Sequence, residues 1–185
     1  MIHRSFVLFY VLCFTNTLVY AQSGNNLKLD EHRNFKEINL GDSFEKWSDK
    51  LTYRDSNGSA TQYVFDTNYC CGQLFDFEAE LVTVIFENKK VVRIEIYLKK
   101  FQESHTNLMK GIGLYESIER QFNFLFGNPY SRSKNRENPL IKTQWVGNKT
   151  ALGAQYNYYG VANGDAAIVI ISDLDYSIRS IKSGF

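Results

Sequence analysis

The spacing of apolar positions changes several times along the chain, and each change marks an element. Phe44, Trp47 and Leu51 recur at helical spacing just after Gly41-Asp42-Ser43. Asp42 as a cap and Glu45 three residues on predict the start of a short helix of roughly three turns. Asp55-Ser56-Asn57-Gly58-Ser59 ends that unit as a turn. Alternation then takes over. Thr61 to Phe65 reads as a strand, and Leu81 to Phe86 with Val91 to Leu98 reads as a hairpin turning through Glu87-Asn88-Lys89-Lys90. Val92, Ile94, Ile96 and Leu98 fall on one face, and Arg93, Glu95 and Lys99 on the other, which describes a sheet packed on one side and wet on the other.

Residues 99–111 are polar and form a joint between two halves. Leu114, Ile118, Phe122 and Leu125, supported by Tyr115 and Phe126, predict a second amphipathic helix that stops at Gly127-Asn128-Pro129. Ser131 to Pro139 is a charged loop. Strands follow at Ile141 to Val146, Ala151 to Tyr159 and Ala167 to Ile171, the first two joined through Gly147-Asn148-Lys149. The last has no polar face, which predicts a central position covered on both sides. Ile178, Ile181 and Phe185 fit a short terminal helix or a frayed tail. The expected fold is α+β: a mostly antiparallel sheet of about six strands with two helices packed on one face. A helix-plus-three-strand order occurs in 35–100 and again in 112–177, within a single domain spanning 35–185.

The amino terminus follows a different logic. Arg4 is the only Lys or Arg before Lys28, Phe6 to Phe14 is an unbroken apolar run, and Val19-Tyr20-Ala21 offers a cleavage site. Residues 1–21 therefore read as a cleaved signal peptide, and 22–34 as a flexible leader. A membrane anchor needs about 20 apolar residues, and this run breaks at Thr15-Asn16-Thr17. No transmembrane segment is expected after cleavage. Lipid attachment at Cys13 is disfavoured because Leu12, not a small residue, precedes it. The expected location is extracytoplasmic, periplasmic or secreted.

Signal cleavage changes the charge. The full chain carries 21 Lys and Arg against 20 Asp and Glu, and loss of Arg4 leaves 20 against 20. A neutral body offers no steering toward phosphate backbones, so nucleic acid is not an expected partner. Cys70 and Cys71 are then the remaining cysteines, and they are adjacent. Three readings stand: unbridged thiols, a vicinal disulfide, or a bridge to another chain.

Catalytic motifs are not apparent. His32 falls in the leader and His105 in the polar joint, both read as solvated. Asp173-Leu-Asp175 and Asn163-Gly-Asp165 read as turns, since a calcium site needs more oxygens. No cofactor and no metal are expected. Asn57-Gly-Ser59 and Asn148-Lys-Thr150 match the glycosylation pattern, which matters only in a eukaryotic secretory route. Tyr156 and Tyr158 share a strand face, and with Trp145 they form the candidate binding face; the competing reading is that strands simply favour tyrosine.

Phe35-x-x-Ile38-x-Leu40-Gly41-x-Ser43 followed by a short helix, and the later helix–Phe126-Gly127-Asn128-Pro129–loop–Trp145 arrangement, resemble small exported bacterial domains. These include BamE-type outer-membrane assembly lipoproteins and tandem-repeat β-lactamase inhibitor proteins. The chain lacks the lipid-attachment cysteine of the first group and the paired disulfides of the second. The resemblance implies a binding or scaffolding role and transfers no site residues. The function expected from the sequence is a non-enzymatic binding or inhibitor-type module with a protein or glycan ligand. The alternative is a small extracytoplasmic hydrolase using scattered carboxylates.

Overall fold

The computed structural model describes residues 23–98, 105–134, 140–158 and 165–182. Residues 1–21, expected to be a signal peptide, and Lys99, Tyr159, Asn163 and Phe185 lie outside the described residues. Helix α1 (Ser23–Glu31) leads into a two-stranded ribbon of β1 (Asn34–Phe35) and β2 (Ile38–Asn39). Helix α2 (Phe44–Trp47) continues as a 3-10 turn over Ser48–Lys50. The first half then supplies β3 (Leu51–Asn57), β4 (Ala60–Phe65), the short β5 (Gln73–Leu74), β6 (Phe77–Glu87) and β7 (Lys90–Leu98). Helix α3 (His105–Phe126) opens the second half, followed by β8 (Ser131–Lys134), β9 (Leu140–Val146), β10 (Thr150–Tyr158), β11 (Asp165–Asp173) and helix α4 (Leu174–Lys182).

All strands from β3 onward join one nine-stranded antiparallel sheet, ordered β3-β4-β6-β7-β11-β10-β9-β8 with β5 on β6. Each half is a meander that runs from an outer edge inward, and the last strands of both, β7 and β11, pair antiparallel at the centre. The β6–β7 hairpin turns where expected: Asn88 and Lys89 both have positive φ, 50° and 59°, the pairing a tight two-residue hairpin requires.

The expected plan of about six strands under two helices is overturned by this nine-stranded sheet. The added strands lie mainly at the edges. Residues expected to extend the first helix and its turn form β3, and part of the expected charged loop forms β8; every β8 residue and all of β3 beyond Leu51 are exposed. An edge strand without a buried face has no reason to alternate. The helix expected from Phe44 onward is the four-residue α2 continued by the 3-10 turn of Ser48–Lys50, and Leu51 already belongs to β3. Its cap also differs. Ser43 occupies the N-cap position without a side-chain bond, while Asp42 accepts from the Asn39 amide at 3.0 Å, Lys46 at 2.9 Å and the Trp47 indole at 3.0 Å.

The segment expected to be a loose leader contains α1. Leu29 is buried in the core, and Asp30 accepts the backbone amides of Asn148 and Lys149 at 2.8 and 2.9 Å. Arg33 reaches the Lys149 carbonyl at 2.7 Å and pairs with Asp173 at 3.1 Å. His32 packs edge-on against Phe126 with ring centroids 5.7 Å apart. Polar docking of this kind leaves no apolar stripe in the sequence. Helix α3 begins at His105, inside the stretch expected to be a polar joint.

One face of the sheet carries the hydrophobic core. Ile94 and Ile96 face Ile171 and Val169 across the central seam, and Leu152, Ala154 and Tyr156 extend the same face across β10. Leu114, Tyr115, Ile118, Phe122 and Phe126 of α3 close it over the second half. Over the first half the cover is assembled from smaller pieces: Phe35, Ile38, Leu40, Trp47, and Cys71, Leu74 and Phe75 from the 66–77 segment. Fully burying each of the larger aliphatic side chains contributes about 1.5–3 kcal/mol.

Candidate functional site

The other face is open. Because cross-strand partners share a face, the register assigns it residue by residue. One row crosses all eight strands of the main path: Thr52, Val64, Thr83, Glu95, Ile170, Gly153, Gln144 and Ser131. The row on one side runs Asp55, Gln62, Ile85, Arg93, Ser172 and Ala151. On the other side it runs Leu81, Tyr97, Ile168, Gln155, Lys142 and Ser133. The middle of these rows, centred on Ile85, Arg93, Glu95, Ile170, Gly153 and Gln144, forms the floor of a concave recess of about 810 Å³, walled at one end by the β3–β4 hairpin and along one side by Tyr176, Ser177, Ser180 and Ile181 of α4.

The chemistry of the floor is aliphatic at the centre and polar around it. Ile170 is half-buried beside Gly153, and Ile85 adds a second aliphatic side chain. Gln62, Gln144 and Gln155 flank them. Most charges are matched in place. Arg93 pairs with Glu95 at 2.7 Å, and the Tyr97 hydroxyl donates to the same carboxylate at 2.9 Å. Arg179 of α4 pairs with Glu87, which also accepts from Ser59 at 3.0 Å. Arg54, displaced by a bulge in β3, donates to Thr83 at 3.2 Å. Strand β11 is central as expected, but its second face is this floor and not a second cover; Ile168 is sheltered between its cross-strand partners Tyr97 and Gln155.

The candidate face of Tyr156, Tyr158 and Trp145 points the opposite way. Tyr156 is 0 % and Trp145 2 % exposed, both inside the core, and Tyr158 is partly buried against it. The Trp145 indole donates to the Gly127 carbonyl at 3.0 Å, tying β9 to the end of α3. Tyr156 donates to Asp165 Oδ2 at 2.9 Å, while Asp165 Oδ1 is buried with no hydrogen-bond partner. Burial pushes the Asp165 carboxyl up despite the bond from Tyr156. The Tyr156 hydroxyl is pushed up as well, by burial and then by the same carboxylate.

Cys70 and Cys71 are bonded to each other in a vicinal disulfide. Cys71 has a φ of 75° and is buried against the core. The loop thus belongs to the covered face. A polar pin also holds that face together. Glu119 of α3 receives Arg132 Nε at 2.9 Å and Thr143 at 2.8 Å, and Tyr115 bonds Thr143 directly. Burial raises the Tyr115 hydroxyl, opposed by its bond to Thr143.

The sequence had already separated Arg93 and Glu95 from the apolar face of β7, and that was the available signal for the recess. Gly153, Gln155 and Gln144 carried none, because only register brings them beside β7. Among the described residues, no group of three or more His, Cys, Asp or Glu is placed to hold a metal ion, and no helix is long and apolar enough to cross a membrane. In comparisons with protein families, with curated proteins and with solved structures, nothing matches this chain.

Proposed function

We propose that the chain is an extracytoplasmic, non-enzymatic binding module that receives a protrusion of a partner protein on the concave face of its sheet. The observation carrying this reading is a partly open face whose recess is lined by residues of β3, β4, β6, β7, β11, β10 and β9, with an aliphatic centre around Ile170 and a polar rim. That arrangement has the anatomy of a protein interface, a desolvated centre inside a wettable border. Charge points to the same kind of occupant. The Arg93–Glu95 and Arg179–Glu87 pairs neutralise each other on the floor and rim, so the surface suits a neutral, apolar-tipped element and gives no cation cluster to a phosphate-bearing ligand. Export rests on the amino-terminal pattern of Arg4, Phe6 to Phe14 and Ala21.

Site-specific photo-cross-linking in the producing cell tests the reading. A benzophenone side chain at Gln144, on the recess floor, is expected to capture a discrete protein. The same group at Phe124, 89 % exposed on α3 over the opposite face, is expected to capture none. Gly153→Trp, which fills the recess, should remove the Gln144 adduct. Equal capture from both faces, or an adduct that is glycan and not protein, would sink the proposal. Recovery of a mature form beginning at Gln22 from the extracytoplasmic fraction checks the location.

A further inference from the structure

We infer that α4 is a releasable wall of the concave face, hinged at Asp173 and held down mainly by polar contacts at the rim. This rests on the reading of that face as the docking surface. The first observation is what α4 does not bury: none of its nine residues is buried. Its apolar stripe is Leu174, Ile178 and Ile181, at spacings of four and three, which places the three on one side of a helix. Yet Ile178 is 42 % and Ile181 69 % exposed. The side turned toward the recess carries Tyr176, Ser177 and Ser180, with Ile181 at its edge. A helix of this length gains little stability by itself and normally depends on burying its apolar side.

The second observation is where α4 is tied. Its amino-terminal end is fixed twice: the Leu174 amide donates to the Lys149 carbonyl at 3.0 Å, and Asp173 Oδ1 accepts the amides of Asp175 and Tyr176 at 3.1 and 3.3 Å. Arg33 locks Asp173 from the other side. Beyond that end Ser177 bonds Ser172 at 2.7 Å and Arg179 pairs with Glu87. Arg179 is more than half exposed while Glu87 is largely sheltered, and a pair open to solvent at one end is partly screened by salt. The geometry is a firm hinge with a weak latch. Letting the latch go opens the row of Arg93, Ser172 and Ala151 along its length, so a partner wider than the present recess is admitted without moving the sheet.

Hydrogen exchange of the intact mature protein, with no ligand present, tests this. Amides of 177–182 are expected to exchange at least ~100-fold faster than those of Val169 and Ile170 in β11, as a locally opening unit does. Glu87→Gln removes the latch charge and should speed α4 exchange by about 2- to 5-fold while leaving β11 unchanged. Ser172→Cys with Ser177→Cys, at hydroxyls already 2.7 Å apart, should on oxidation return α4 to slow exchange. Equal exchange of α4 and β11 in the native protein, or indifference to Glu87→Gln, overturns the inference. Because these readouts involve no partner, they stand or fall apart from the Gln144 cross-link; if that adduct forms, the oxidised double-cysteine form should give less of it.

Discussion

The two faces of the sheet are made from the same strands, yet different forces shape them. On the covered face, Ile94, Ile96, Val169 and Ile171 meet across the seam and α3 seals the second half. One residue along each strand, Arg93, Glu95, Ile170 and Ser172 meet across the same seam and face the recess. The covered side is held by apolar packing, whose loss leaves a cavity. The open side is held in shape by ion pairs and hydroxyl bonds among its own residues, with Thr83, Glu95 and Ser172 buried among them and Ile170 left half-buried. The contrast teaches that stability and the proposed binding are assigned to opposite sides of each strand, so neighbouring residues should answer mutation differently.

The sharpest test uses β7 and β11 side by side. Ile96→Ala, at a fully buried position, is expected to cost about 2–5 kcal/mol through lost burial and a residual cavity. Ile170→Ala, half-buried on the floor, should cost less than about 1 kcal/mol, because solvent can fill the space vacated. Urea titrations of the two variants measure the difference. Similar costs would mean that the recess side is packed in solution and the faces are not distinct.

A second test cuts the polar pin under the covered face. Glu119→Gln keeps the shape but removes the charge that receives Arg132 at 2.9 and 3.1 Å and also accepts from Thr143. Its expected cost is about 1–3 kcal/mol, the range for hydrogen bonds to a charged group with little access to water. Chemical unfolding followed at both tryptophans reads it. A cost near zero would show that α3 is held by packing alone.

Acid separates two carboxylates of the covered side, Asp165 and Asp42, by sign. Burial raises Asp165 above its ordinary value, against the Tyr156 bond, so the folded state favours its protonated form. Stability from this group is therefore fullest below its unfolded value and is lost as pH rises from there through the raised folded value. Asp42 runs the other way. Partial burial pulls it up, but bonds from Lys46, the Asn39 amide and Trp47 outweigh that and hold it low, so its contribution is lost as pH falls through the depressed value. Asp165→Asn should be more stable than the wild type at pH 7, with the gap narrowing toward pH 4, while Asp42→Asn should be less stable at pH 7, with its deficit shrinking in strong acid. Denaturation curves at pH 7 and pH 4 for Asp165→Asn, and at pH 7 and in strong acid for Asp42→Asn, check both signs, and a widening gap for Asp165→Asn at low pH would contradict the buried-carboxylate account.

What the sequence disclosed follows the same division. The inner strands were legible because each has a face that must be apolar: Val82, Ile94, Ile96 and Ile141 fix their register by where they bury. Edge strands β3 and β8 lacked that constraint and read as turn and loop. Helix α1 is tied down by Asp30 and Arg33, long-range polar partners that no local pattern announces. The tyrosine-bearing face was assigned to binding because Tyr156 and Tyr158 do share a side of β10; which side α3 would cover was not written in β10 itself. Gly153 and Gln144 became neighbours of Glu95 and Ile170 only through pairing of strands far apart in the chain.

The smallest expected effect bears most directly on the open face. Gly153 lies in the extended backbone of β10, and its φ is outside the left-handed range. A β-carbon there would meet the Ile170 Cβ at 3.7 Å and the Thr143 carbonyl oxygen at 4.0 Å, both ordinary contacts. Neither backbone geometry nor crowding demands glycine, and glycine inside a strand sacrifices packing and unfolded-state entropy. Gly153→Ala should therefore stabilise the protein, by about 0.4–1 kcal/mol, where a substitution on the covered face would destabilise it. The same methyl group lifts the recess floor between Ile170 and Gln144. If the floor receives a partner, the Gln144 cross-link should weaken in this more stable variant, so that stability and capture move in opposite directions. A loss of stability would mean that β10 is tighter at this point than its distances allow. Gained stability with undiminished capture would place the partner's contact elsewhere on the concave face.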